Sequence, residues 1–278
     1  MIGRLSITFV LTIFTSQLCF SQGWLAQGAR SAGLGHSSVT LIDVFAFHHN
    51  PGALGFMDHG SAAISYENRF LMRELQSQSF AVVQPIDKGV LSFGGQFYGY
   101  DSFRTNRFGG GYSMFLSEKL AAGVQINYLN LRLDPFYGVK HSVTGEIGLL
   151  TLLGEETFIG ASVVNLGRAR LSEFKDDRLS TIIRLGASHQ LTDELLVMAE
   201  LEQEVTYTAR LRTGIEYQPL DIFYIRGGVQ GNPMNFSLGM GFRFNNIMLE
   251  VATQYDQILG LTPVVSLLVD FNQRTTNE

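Results

Sequence analysis

Residues 235–256 read "NFSLGMGFRFNNIMLEVATQYD", and their alternation decides the fold. Phe236, Leu238, Met240, Phe242 and Phe244 fall on one parity; Asn235, Ser237, Gly239, Gly241, Arg243 and Asn245 fall on the other. After the Asn245-Asn246 pair, Ile247, Leu249, Val251 and Tyr255 oppose Glu250, Gln254 and Asp256. Successive strand side chains point to opposite faces, so each half is a strand with one oily and one wet face. The pair between them reads as a tight hairpin turn.

Working outward, the split recurs. Leu179, Thr181, Ile183, Leu185, Ala187 and Leu191 oppose Ser180, Arg184, Gly186, Ser188 and Gln190. Leu195, Val197, Ala199, Leu201 and Val205 oppose Glu200, Glu202 and Glu204, and Leu211, Ile215 and Tyr217 oppose Arg210, Arg212 and Glu216. Such segments run from residue 61 to 272 and number about fourteen, an even count as a closed bacterial outer-membrane barrel requires. Every second connection is tight: "PIDK" at 85, "SE" at 117, "GEE" at 154, "TDE" at 192, "QPLD" at 218 and "NN" at 245. Most others are longer, including "ENRFLMREL" at 67, "GYDSFR" at 99 and "NLGRARLSEFKDDRL" at 165, with a short exception near Tyr207. Short periplasmic turns alternating with longer external loops mark an all-β, up-and-down antiparallel transmembrane barrel with both termini in the periplasm. A soluble sandwich or propeller also alternates, but explains neither the loop asymmetry nor the leader.

That leader is residues 1–22. It has one early charge at Arg4, an apolar run from Leu5 to Phe14 and a polar "CFSQ" ending near Ser21 or Gln22, which is the pattern of a cleaved signal peptide. The sole cysteine, Cys19, lies within it, and Ser16-Gln17-Leu18 lacks the small residue a lipoprotein cysteine needs before it. The mature chain is thus expected to hold no disulfide or cysteine-metal site. A net charge of -5 argues against a nucleic-acid partner. No later apolar run is long enough for a membrane helix, so the expected surroundings are outer-membrane lipid. Residues 273–278 form a short periplasmic tail.

Residues 23–60 precede the first strand and lack regular periodicity, which places them inside the barrel as a hatch. Within them "HHNPGALGF", 48–56, invites a metal reading. Adjacent histidines diverge, however, and Asp43 and Asp58 are the only nearby acids. Gly33-Leu34-Gly35 lacks the strand, helix and lysine of a nucleotide loop. His141-Ser142 and Ser188-His189 sit on strands, where neighbours point apart, so neither forms a catalytic dyad. No cofactor and no enzyme activity are expected. Facing the lumen, a hairpin centred on Tyr207 sets Glu204 against Arg210 and Glu202 against Arg212, with Arg184 and Arg226 flanking. That network either holds the barrel's shape or filters ions. Glycines at 94, 95, 99 and 109–111 mark either a kink in the wall or tight packing of the plug.

"GARSAGLGHSSVTLIDVFAFHHNPGALG" followed by about fourteen strands resembles the hatch of the FadL-type superfamily, especially its PorV/PorQ branch associated with type IX secretion. The motif falls on Gly28-Ala29-Arg30, Ala32-Gly33-Leu34-Gly35, Asp43 and Asn50-Pro51-Gly52-Ala53-Leu54, with Gly52 where the family often has alanine. The resemblance implies an accessory of protein secretion that scaffolds or hands over cargo, with a translocon and secreted proteins as partners. Its alternatives are a FadL-like passive channel for small hydrophobic molecules, for which the external loops are short, and a hydrolase embedded in the barrel.

Overall fold

The computed structural model describes residues 26–133, 138–169, 179–205 and 207–271. The expected signal peptide and the tail lie outside the described residues. Fourteen strands form one closed antiparallel barrel. They are β1 (Gly60–Asn68), β2 (Gln76–Ile86), β3 (Gly89–Tyr100), β4 (Phe103–Ser117), β5 (Leu120–Leu133), β6 (Val139–Leu153) and β7 (Thr157–Val164). The second half is β8 (Ile182–Thr192), β9 (Leu195–Glu204), β10 (Arg210–Leu220), β11 (Phe223–Gln230), β12 (Asn235–Phe244), β13 (Ile247–Asp256) and β14 (Gly260–Phe271). Each strand pairs with its sequence neighbours, and β1 closes on β14 from Gly60 opposite Phe271 to Glu67 opposite Val264. Closure leaves no sheet edge to satisfy, the condition for strands to cross a membrane.

The alternation read from the sequence is the alternation of the wall. Ile64, Phe93, Ile126, Leu185 and Leu238 point outward and are widely exposed, while Ser65, Asn127, Arg184, Glu200 and Arg226 point inward and are buried. An apolar outside around a polar inside is the lipid-facing arrangement of a transmembrane barrel. No described helix is long and apolar enough to cross a membrane. The crossing is made by strands.

Three expectations shift. The connection at 99 is not a long loop: β3 and β4 continue until Tyr100 pairs with Phe103. The exception near Tyr207 is not unusually short, since β9 ends at Glu204 and β10 begins at Arg210. Leu179 belongs to no outward face. It precedes β8 and is buried with Leu129, Val164 and Ile182, where the chain returns from the β7–β8 connection. Asn165 organises that return, its amide donating to Leu179 O at 2.7 Å and its Oδ1 accepting from Ala169 N at 3.0 Å. An apolar residue next to a strand shares its parity without sharing its wall.

Candidate functional site

Residues 26–57 lie within the barrel and are almost wholly buried. They run as a helical turn, Ala29–Gly33, and two 3-10 turns, Val44–His48 and Pro51–Phe56. Side chains start both 3-10 turns. Asp43 Oδ1 accepts from Phe45 N at 2.9 Å and Asn50 Oδ1 from Gly52 N at 3.0 Å, each supplying an orphaned N–H with a partner. Pro51 stands at the first helical position, where its missing N–H costs nothing, and holds Asn50 extended.

The Asn50–Leu54 motif is therefore a built turn, and it docks on the wall. The Asn50 amide donates to Val39 O at 2.7 Å within the plug and to Leu149 O at 3.0 Å on β6. Ser113 of β4 donates to Pro51 O. Ala53 and Leu54 are fully buried in the main apolar cluster with Phe45 and Phe47. Gly52 faces Gly148 so closely that a Cβ on Gly52 would lie 2.6 Å from the Gly148 carbonyl, which explains why alanine does not stand there. A second close approach joins Gly35, at φ +65°, to Gly228 of β11. Of the glycines singled out in β3 and β4, Gly94 faces Phe47 of the plug; Gly95 instead underlies Phe80 and Phe108 outside.

His48 and His49 are not a pair aimed at one ligand. His48 Nε2 contacts Phe80 O of the wall at 3.2 Å, whereas the His49 ring turns back onto the plug and accepts from Gln27 N at 3.0 Å. Burial, with the Arg107 charge and His49 nearby, holds His48 well below its usual range. Burial also lowers His49 to about 4, Arg184 and Arg212 adding to it against Asp43. His36 falls to about 3 through burial and the Arg212 and Arg69 charges. All three imidazoles are neutral in the docked plug. Among the described residues no group of three or more His, Cys, Asp or Glu is placed to hold a metal ion.

The lumen charges form two networks rather than one, and the hairpin register differs from the expectation. Arg210 is opposite Glu202 and Arg212 is opposite Glu200, so the hairpin centres one residue before Tyr207. Arg212 spans Glu200 (3.1 Å) and Glu202 (2.6 Å), Arg184 meets Glu202 at 2.9 Å, and Arg210 lies 3.8 Å from Glu202. Glu204 is displaced opposite Ile182 and makes no ion pair among the described residues. Glu200 takes the central place. Its Oε2 accepts from both Ser38 N and Val39 N at 2.7 Å, coupling wall to plug. Arg226 belongs to the second network, with Glu216, Glu250, Arg30 and Asp43. Glu200, Glu216 and Glu250 were legible as inward by parity, but nothing in the sequence marks them as plug contacts.

The Ser-His neighbours diverge as expected. His141 faces Tyr128 and Asn130, and His189 faces Thr157 at 3.0 Å, on the side away from Ser142 and Ser188.

Two adjoining cavities open beneath the plug, at the end carrying the short turns. One, of about 520 Å³, is lined by the second charge network together with Ile42, Met57, Tyr224, Met248 and Leu268. The other, of about 720 Å³, runs along Phe56, Pro85, Val90 and Phe115. Phe56 stacks edge-on against Phe115 and Phe158, with ring centroids 4.8 Å and 5.3 Å apart.

The barrel has solved structural counterparts. The Ralstonia pickettii toluene transporter TbuX matches with a TM-score of 0.68 at 14% identity, over 90% of this chain and 99% of that one. The likeness is one of fold. The P. putida toluene transporter TodX gives 0.64 at 14% identity, over 89% and 99% of the two chains. A Pseudomonas aeruginosa FadL homologue gives 0.61 at 13%, over 88% and 98%. No protein-family profile and no curated protein matches the chain. The FadL-type likeness is one of architecture, carried by patterning at low identity.

Proposed function

We propose that this chain is an outer-membrane channel for small, largely apolar molecules, gated by residues 26–57. The observation that carries the reading is the cavity of about 520 Å³ between the underside of the plug and the wall. Small-molecule sites span roughly 300–1,000 Å³, and this one sets Ile42, Val44, Met57, Tyr224, Met248 and Leu268 beside its charged and polar side chains. Solved proteins of the same fold are described as toluene transporters. Reconstituted into liposomes, the full chain should speed entry of an aromatic solute such as toluene over empty liposomes while leaving sucrose entry unchanged. Equal toluene entry in both preparations would rule the reading out.

A second reading is a PorV/PorQ-like accessory of type IX secretion. It is favoured by apolar side chains on the external connections of adjacent strands: Leu71, Met72, Met234, Leu259 and Ile258, the last 89% exposed. Apolar patches of this sort mark protein contacts. A pull-down from native membranes should then recover a translocon or cargo. Recovery of the barrel alone, with normal secretion in a deletion strain, would remove it.

A further inference from the structure

Beneath the plug, three carboxylates share one buried cluster with two guanidiniums: Asp43, Glu216 and Glu250 against Arg30 and Arg226. All five line the cavity of about 520 Å³. Arg30 is bidentate on Glu216, at 3.0 and 2.6 Å, and reaches Asp43 at 3.3 Å. Arg226 spans Glu216 and Glu250. The cluster is one positive charge short.

The shortfall falls on Glu250. Its Oε1 lies 2.9 Å from Arg226, but its Oε2 has no hydrogen-bond partner although the residue is only 2% exposed. A buried carboxylate oxygen without a donor is costly, and buried charges are nearly always compensated. Asp193 and Glu194, at the mouth of the same cavity, add to its negative potential, while Arg243 there is paired with Asp270 at 3.3 Å. Low-dielectric walls around charges of one sign concentrate the opposite sign. The rest of the lining is mixed: Gln190, Gln218, His59 and Asp270 are polar, while Ile42, Met57 and Met248 form an apolar side beside the charged one.

We propose that this cavity binds a small organic cation, a primary ammonium carrying an aromatic or short alkyl group, with an ammonium N–H donating to Glu250 Oε2. The charge supplies what the cluster lacks, and the apolar part packs on Ile42, Met57 and Met248. An inorganic cation gains nothing from that apolar side. The site stands whether or not the barrel conducts.

Calorimetry on the full chain in lipid nanodiscs at neutral pH, with benzylamine, benzyl alcohol and benzoate as probes, tests it. Benzylamine should bind about tenfold or more tightly than benzyl alcohol, and benzoate more weakly still. Glu250→Gln should erase the preference for benzylamine while strand content and thermal unfolding stay those of the native barrel. If Glu250→Gln does not fold, Glu194→Gln on the exposed turn should weaken benzylamine a few-fold at low salt and not at high salt. Equal affinity for benzylamine and benzyl alcohol overturns the proposal. So does loss of benzylamine binding to equimolar potassium chloride, or an unchanged preference in a folded Glu250→Gln barrel.

Discussion

At Gly148 a single added methyl would stand 1.9 Å from Asn50 Oδ1 and 2.8 Å from Gly52 N, both held in place by the plug's own hydrogen bonds. Gly148→Ala should therefore lift the turn and destabilise the protein by about 1–3 kcal/mol, the usual cost of overpacking. On the same strand Gly145 would meet nothing within 4 Å, and Gly145→Ala should stay within about 0.5 kcal/mol. Urea unfolding in lipid distinguishes the two; equal midpoints would mean the plug is not seated on β6. Asn50→Asp keeps the acceptor for Gly52 N but turns the groups facing Val39 O and Leu149 O from donors into a buried acceptor. That change should cost about 2–4 kcal/mol, from two lost hydrogen bonds and an unpaired charge, and should raise amide exchange around Val39 before the barrel amides. The Asn-Pro-Gly turn was legible because each residue restricts its own backbone or its neighbour's. The seat was not, since a glycine inside a strand does not say what approaches it, and Gly94 and Gly95, adjacent in sequence, serve opposite faces.

Between strands, β9 and β10 show which part of a barrel a sequence specifies. A turn centre moved by one residue moves every cross-strand partner by two, so the faces stay correct while the partners change. That is why the inward charges were found and yet Glu204 stood in for Glu200. The two acids now make opposite predictions. Glu200→Gln weakens two hydrogen bonds to plug N–H groups and the pairing with Arg212, and should loosen the plug by roughly 2 kcal/mol. Glu204→Gln should change stability by less than about 0.5 kcal/mol. The same unfolding series checks both, and a larger effect at Glu204 would restore the Tyr207-centred register. The plug as an element also answers to pH. Its imidazoles are held at about 3 in His36 and about 4 in His49, whereas in a released plug they titrate near 6.5. Below 6.5 the released plug binds more protons, so docking is complete above that pH. It weakens as pH falls towards 4 and then 3, by up to about tenfold per unit per histidine. Hydrogen exchange at Ala32 and Gly35, corrected for intrinsic rates, should show protection falling through this window. Replacing His36, His48 and His49 together by Gln should flatten the curve, and a flat native curve would remove the histidines from the account.

Taken as one molecule, the barrel and the plug are separable in their bonding. Closure rests on wall strands alone, with β1 paired to both β2 and β14 along its length, and the plug adds side-chain contacts to a ring already complete. The class of fold was accordingly legible from wall alternation, while the plug, having no period, was legible only as a stretch too long for a leader and too irregular for a strand. Its docking is uneven around the ring. On the β8–β13 side it is bound through charge, by Glu200, Arg212, Glu216 and Arg184, the last donating to His49 O at 3.3 Å. On the β4–β6 side it rests on glycine and neutral hydrogen bonds around Pro51. Excising residues 26–57 should therefore leave a barrel that still closes, with inward Arg and Glu pairs now facing water, where ion pairs are worth about 0–1 kcal/mol and are readily hydrated. In a planar bilayer the intact chain should show rare, small openings and the excised chain a steady, ohmic conductance. Raising salt should weaken the charged side first and increase the opening frequency of the intact chain, since buried pairs at a plug interface are exposed to screening only once water enters. A closed record from the excised barrel, with its strand content intact, would mean that the wall rather than the plug shuts the pore.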